Sequence, residues 1–383
     1  MKVSGIVCEY NPFHNGHAYH INETRCNGAT HIVCVMSGNF VQRGDVAVLD
    51  KFTRAEIAVR SGVDLVIELP VAYCLSSAEL FARGAVYLLG NLGCVDEISF
   101  GSECGDIDRL VNAMNIADGI SRIEAVKMFR KYGYSSPRAV SEILRQTDSE
   151  TADLISEPNN ILALEYLRAL KYLKSDIKPF TVKRSGASHD STETSSDIAS
   201  ASYIREHIQS AGKFAPEISA EALRYGTADL KYLERAILYK VRTATEEEIA
   251  ELPDGNGLME RIYGNSAQSL DELFNSVKSK NCTMAKVRRV ILSILIGTTK
   301  VKGFPPYARV LAFNGRGKEI LSLTKKTKKI PVGTSLAKLG RLNADAHLFA
   351  ELEARATDIY SLAWEKIQPT GQDYRKKMEI IND

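Results

Sequence analysis

The sequence predicts an α/β fold: a doubly wound, five-stranded parallel sheet, followed by a second, mainly helical domain that carries a small β element. Two observations carry this. Short apolar, β-branched runs alternate with helix-like segments up to about residue 183, the rhythm of parallel strands joined by right-handed crossovers. Beyond about Lys213 that rhythm stops and helical spacing dominates. The chain therefore divides at 212/213 into domains 1–212 and 213–383, and its 383 residues suffice for two.

The elements follow in order. Val3–Cys8 is the first strand, leading into a helix that runs through His20 and Asn22. Residues 31–36 form the second strand and 50–61 the next helix. Residues 64–69 are the third strand, ended by Pro70. A helix over 76–89 leads through Gly93 to a fourth strand, 97–100, which Gly101 stops. After a longer helical region, 180–183 complete the sheet. Residues 186–200 are rich in Ser, Thr, Asp and Gly and read as a loop. In the second domain 230–243, 270–278 and 284–296 read as helices, and 308–323 as a short mixed element.

Composition sets the class. At 44% hydrophobic and 25% charged residues the chain is globular in composition, and no apolar run approaches the ~20 residues that span a bilayer. The first residues lack a signal-peptide pattern. Seven cysteines, an odd number and never in Cys-x-x-Cys form, fit a reduced, cytoplasmic protein. A net charge of +2 hides an asymmetry. Residues 278–341 hold 16 Lys and Arg against one acid, Glu319, whereas the whole chain has 49 bases and 47 acids. Such a segment on an otherwise acidic chain is the footprint of a polyanion-binding surface, although a solvated basic face has the same composition.

The motif that carries chemistry directly follows the first strand. His14-Asn15-Gly16-His17 sits at a strand-to-helix junction, where free N–H groups and the helix dipole favour a phosphate. Chance would produce His-x-Gly-His only about 0.01 times in such a chain. Two imidazoles three residues apart on a first turn share a face and can reach one phosphoryl group. His14, His17 and His20 do not make a metal triad, because that spacing drifts around the helix and no His-Glu-x-x-His pattern occurs. A P-loop, a Gly-x-Gly-x-x-Gly fingerprint and a Gly-x-Ser-x-Gly elbow are also missing. Nucleotide chemistry at an α-phosphate survives, with positioning and positive charge supplied by the protein. Ser202 and Arg205, at the start of the helix that opens at Ser200, fit a second phosphate device, and equally an ordinary cap with a surface arginine.

At this point the residues reach a family. The stretch from Gly5 to His17, together with 36–44, 64–70, 100–103, 158–163, Lys183-Arg184 and 306–313, resembles the bacterial tRNA(Met) cytidine acetate ligases of the nucleotidyltransferase-like superfamily. The likeness covers essentially the whole chain. One departure is Ala187-Ser188-His189-Asp190, where the family pattern leads to an aromatic before the histidine. The resemblance implies activation of acetate with ATP to acetyl-adenylate. The acetyl group then passes to N4 of the wobble cytidine of elongator tRNA(Met), and magnesium arrives with the ATP. It implies that Val7, Cys8, Glu9, Tyr10, Asn11, Pro12, Phe13, His14, Asn15, Gly16, His17, Ala18, Tyr19 and His20 wrap the ATP. His14 and His17 would be catalytic, and Gly101, Asn159 (or its neighbour Asn160), Arg184, Ser202 and Arg205 would complete the nucleotide site. Gly101 and Asn159 equally fit a turn glycine and a helix cap. Ser37, Asn39 and Gln42 are candidates for an acetate pocket. Arg288, Arg289, Lys325, Lys326, Lys328 and Lys329 would meet tRNA phosphates, contacts that position RNA without reading its sequence. Two other functions fit parts of the chain: an adenylyltransferase for a small phosphorylated metabolite, and a non-catalytic RNA-binding protein. No obligate protein partner and no membrane association are expected.

Overall fold

A parallel sheet twisted between helical layers forms the core of the computed structural model, which describes residues 1–129, 132, 134, 136–184, 198–252, 257–280, 282–376 and 378–381. Its strands are β1 (Val3–Cys8), β2 (His31–Ser37), β5 (Leu65–Leu69), β6 (Glu97–Ser102), β7 (Lys178–Lys183), β8 (Ala308–Phe313), β9 (Val332–Gly333) and β10 (Glu379–Ile380). A separate hairpin pairs β3 (Phe40–Val41) with β4 (Asp45–Val46). The main sheet runs β10-β8-β5-β2-β1-β6-β7, with β9 beside β8. β5, β2, β1, β6 and β7 are parallel throughout, and every residue of β2 is buried, as befits a central strand covered on both faces.

The doubly wound α/β class predicted from sequence is therefore observed, with two corrections. The sheet has eight strands, not five. The β element expected in the second half is not separate: β8 lies antiparallel against β5 and extends the main sheet. Periodicity reports that a strand exists, and its partner 240 residues away is set by tertiary packing. A smaller correction concerns β6, which continues through Gly101 to Ser102. The helical part has its own core, in which Leu233, Ile237 and Val241 meet Leu273, Val287, Val290 and Ile291. Ala187–Asp190, where the sequence departs from the family pattern, lies outside the described residues. No helix among the described residues is long and apolar enough to cross a membrane.

The order of the strands positions the site. From β1 the chain winds outward through β2 and β5, then returns to place β6 and β7 on the other side of β1. The crevice between the carboxyl ends of β1 and β6 is therefore the topological switch point, where ligands bind in such sheets. The His14 turn leaves the end of β1, and Gly101 lies at the end of β6.

Candidate active site

The turn after β1 is built from its own side chains. His14 is the N-cap of the helix Asn15–Cys26, in extended conformation, and its Nδ1 accepts the Gly16 N–H at 3.1 Å. The His17 Nδ1 accepts the His14 N–H at 3.2 Å, so the two imidazoles form a reciprocal capping box. Both Nδ1 atoms are acceptors from backbone donors that cannot reverse, and in the neutral rings both protons must sit on Nε2. The rings stack, with centroids 3.7 Å apart and planes 25° from parallel. Gly16 is required by this packing, since a Cβ there would lie 2.9 Å from His14 Cε1.

Other elements hold the turn from below and behind. Tyr10 and Phe13 are buried around the His17 ring, Tyr10 edge-on and Phe13 tilted. Ser219 donates to the Phe13 carbonyl, and the Asn15 N–H donates to Phe214 O. Arg205 donates to the Asn11 carbonyl at 2.8 Å and to Ser202 Oγ at 3.0 Å. Arg205 thus clamps the backbone of the turn, and Ser202 holds its guanidinium. His20 reaches the sheet: its Nε2 meets Ser99 Oγ of β6 at 2.9 Å, which anchors the helix beside the crevice.

Burial pushes the His17 imidazole well below its ordinary value, and His14, His20 and Arg184 act in the same direction. His20 is lowered to about 4 by burial and by Arg184. Both rings are neutral at neutral pH in the folded chain, while the unfolded chain takes up their protons below about pH 6.5. Their contribution to stability is complete above that pH and is lost as pH falls toward 4. We expect the thermal midpoint to drop between about pH 7 and pH 5, and to drop less in His20→Asn. Equal slopes in the two proteins would contradict the assignment.

Across the crevice, Glu103 organises the start of the helix Pro158–Tyr172. Its carboxylate accepts from Asn159 N, Asn159 Nδ2 (2.6 Å) and Asn160 N. Asn160 is buried, and its amide is spent on Cys104 N and Leu154 O. Asn159 instead offers Oδ1 to Arg184 at 3.1 Å. Geometry therefore separates the two neighbours: Asn159 lies with Arg184 and Gly101, and Asn160 is structural. A Cβ at Gly101 would touch only Arg184 Cγ at 3.5 Å and Val182 O at 3.9 Å, ordinary contacts. Nothing in the protein itself demands glycine there.

The β3–β4 hairpin covers the other flank. Glu9, pushed above the usual carboxylate range chiefly by burial, accepts the Gln42 N–H at 2.7 Å. Fully buried Arg54 ties the ends of two strands together, donating to the carbonyls of Glu9, Ser37, Gly38 and Leu49. Asn39 is occupied structurally, accepting from Lys51 N and donating to Thr357 Oγ1. Arg288 and Arg289 also belong here. Arg289 is buried and donates to the Gln42 carbonyl; Arg288 reaches Asp45 at 3.7 Å and lies over the Phe274 ring. Gly44 packs directly on their helix, Met284–Ile296. A buried Arg289 does not meet RNA phosphates, which corrects its expected role.

The lysine run lies elsewhere. Lys325 and Lys326 close the helix Gly315–Thr327, in which Thr324 meets Cys94, Thr327 donates to Leu92 O, and Lys329 N donates to Asn91 O. That is where the chain enters β6, whereas the histidines lie beyond the end of β1. The structure does not bring the run together with the site.

Sequence reasoning named Glu9 but missed Arg54, Glu103 and the hairpin as parts that shape the crevice. Only Arg54 left a usable signal: Lys51, Arg54 and Ala58 share one face of the helix Lys51–Arg60, and that face is apolar further along.

The comparisons agree with this geometry. Residues 1–375 match the model of the HIGH Nucleotidyl Transferase family. The chain is 38% identical to the tRNA(Met) cytidine acetate ligase of Thermoanaerobacter sp. (strain X514) over 98% of each chain. It is 40% identical to that of Clostridium perfringens (strain SM101 / Type A) over 94% of this chain and 95% of the relative. The chain belongs to the tRNA(Met) cytidine acetate ligase family. Solved structures of the Thermotoga maritima member, TmcAL, superpose over 100% of both chains. The form bound with alpha-thio ATP has a TM-score of 0.88 at 31% identity, and the apo form 0.90 at 32%. In this chain Arg184 meets Asn159 and Gly101 on one side of the crevice, and Arg205 clamps the His14–His17 turn on the other.

Proposed function

We propose that the chain is an ATP-dependent ligase that activates acetate as acetyl-adenylate and acetylates N4 of the wobble cytidine of elongator tRNA(Met). Residues 1–212 carry the ATP chemistry and 213–383 the RNA. The observation that carries this reading is the pair of stacked imidazoles, His14 and His17, that opens the helix leaving the sheet's switch point. Residues 7–19 surround the triphosphate, with the buried side chains of Cys8, Tyr10 and Phe13 leaving their backbone to do so. The nucleoside lies against Gly101, where a side chain would take the room, with Asn159 and Arg184 beside it.

In the first step an acetate oxygen attacks the α-phosphorus, a P–O bond forms, and the bond to the β-phosphate oxygen breaks. Charge grows on the pyrophosphate as it leaves. His14 and His17 donate hydrogen bonds to it, and these strengthen as the negative charge builds. Magnesium carried by ATP supplies further charge neutralisation when bound. In the second step cytidine N4 attacks the acetyl carbon, AMP leaves, and N4 loses a proton.

Acetate-dependent exchange of labelled pyrophosphate into ATP, without RNA, tests the first step. Exchange that depends instead on a phosphorylated metabolite would favour an adenylyltransferase. For RNA, we propose that Lys325, Lys326, Lys328 and Lys329, with Arg288 at the edge of the hairpin, contact phosphates away from the reacting base. Neutralising the four lysines together is expected to weaken tRNA binding and flatten its salt dependence by up to about four phosphate contacts. Pyrophosphate exchange is expected to be unchanged. An unaltered salt slope would remove these lysines from the interface.

A further inference from the structure

Beside the nucleotide turn lies a surface that adenylate chemistry does not use. Ala228 N donates to Val48 O, and Val48 N donates to Asn11 Oδ1. The segment at residue 228 is therefore two hydrogen bonds from the turn that holds His14. From there the 3-10 turn Leu230–Leu233 runs into the helix Glu234–Thr243. One face of this unit, Leu233, Ile237 and Val241, is buried in the helical core. The opposite face presents Tyr232, Arg235, Tyr239 and Arg242, whose spacing keeps them in one stripe. Tyr225, 93% exposed, and Lys231 extend the stripe back toward the nucleotide turn.

Single exposed aromatics are common, but Tyr232 and Tyr239 interleave with Lys231, Arg235 and Arg242 on one side of one element, and Tyr225 ends the helix just before it. Tyr239 is 70% exposed and Tyr232 39%, so neither contributes much to the core. Lys231 lies over the Tyr232 ring while pairing with Asp229, and Arg242 reaches the Ala267 carbonyl, which holds both cations along the stripe. The acidic helix Glu246–Ala250 bounds it at the far end. Aromatic faces alternating with cations are what unpaired nucleotides recognise: bases stack on the rings and phosphates meet the charges.

We propose that this stripe is the platform on which unpaired bases of an RNA loop stack while one base enters the adenylate crevice. The inference rests on the tRNA ligase reading and deepens it. Charge complementarity and continuity with the nucleotide turn favour RNA over a second protein as the occupant. The lysine run at 325–329, where the chain enters β6, does not share that continuity.

The test compares wild type with Tyr225→Ala/Tyr232→Ala/Tyr239→Ala and with Lys231→Gln/Arg235→Gln/Arg242→Gln. The probes are the anticodon stem-loop RNA of tRNA(Met) and a loop-free RNA duplex, with affinity read by fluorescence anisotropy across salt concentrations. The tyrosine variant is expected to bind the stem-loop about tenfold or more weakly with an unchanged salt slope, and the duplex as wild type does. The cation variant is expected to bind both more weakly and to lower the slope by about two to three. Acetate-dependent pyrophosphate exchange within about twofold of wild type would show that both variants fold. If wild type binds the stem-loop and the tyrosine variant binds it equally well, the platform is overturned while the ligase reading stands. A change in sedimenting mass without a change in RNA affinity would make the stripe a protein interface and overturn it too. If wild type binds no stem-loop at all, the tRNA reading fails first.

Discussion

His14→Asn and His17→Gln are each expected to lower acetate-dependent adenylation by about 10²–10³-fold, the effect of removing one donor from a developing anion. The choice of residues matters because each histidine has two roles. Through Nδ1 it takes part in the cap of the helix Asn15–Cys26, and through Nε2–H it is proposed to donate to the leaving pyrophosphate. Alanine would remove both and cost about 1 kcal/mol of helix stability besides. Asparagine at position 14 is among the best N-caps, so it keeps the cap and deletes the donor. Glutamine at 17 retains an acceptor for the reciprocal bond. With capping preserved, the thermal midpoint should hold while pyrophosphate exchange collapses and stem-loop RNA affinity stays within about twofold. Parallel loss of stability and exchange would make the pair structural.

Lys51→Met is expected to destabilise the fold by about 3–5 kcal/mol, read as a shifted urea midpoint at constant slope. Lys51 is 1% exposed; its ammonium meets Glu68 at 2.5 Å and Asp373 at 2.9 Å. Arg309 shares the same two carboxylates. Burial pushes the Asp373 carboxyl up, but Lys51 and Arg309 outweigh this and hold it at about 2. Glu353 behaves differently: burial and then Glu68 raise it well above the carboxylate range, and it accepts the Val71 N–H. A neutral Glu353 leaves two cations facing two anions. Removing Lys51 leaves two buried carboxylates to one arginine, directly behind the loop at 37–39. Adding Glu68→Gln should recover part of the loss by removing the surplus anion. The cluster joins the first turn of the helix Lys51–Arg60 to β5, β8 and the helix Gln372–Arg375. The C-terminal half is thereby built into the wall of the nucleotide crevice.

What was legible in the sequence was local. Val3–Cys8 followed by His14-Asn15-Gly16-His17 specifies a strand, a cap and two rings on one face, all within reach of neighbouring backbone. The strand–helix rhythm implied the parallel sheet, whereas Gly101 and Arg184 entered through the family resemblance. Contacts between distant segments were not legible. Glu9 with Gln42, Arg54 with four carbonyls, and β8 against β5 are set by packing, and periodicity carries no information about partners. The basic segment shows the same limit. Its charge was visible, but one part, at Arg288 and Arg289, folds against the hairpin beside Glu9, and another, at 325–329, against the helix Ala78–Leu92. Net charge along a sequence does not say which face it will share.

The most direct test of the central claim is the product itself. Purified protein is incubated with ATP, isotopically labelled acetate and total bacterial tRNA, and the tRNA is digested to nucleosides. Labelled N4-acetylcytidine, confined to elongator tRNA(Met), dependent on ATP and absent with His14→Asn, is the predicted result. Tyr225, Tyr232 and Tyr239 should affect only the concentration of tRNA required. Labelled product that forms without ATP, or AMP appearing on a metabolite with no acetylated nucleoside, would contradict the account.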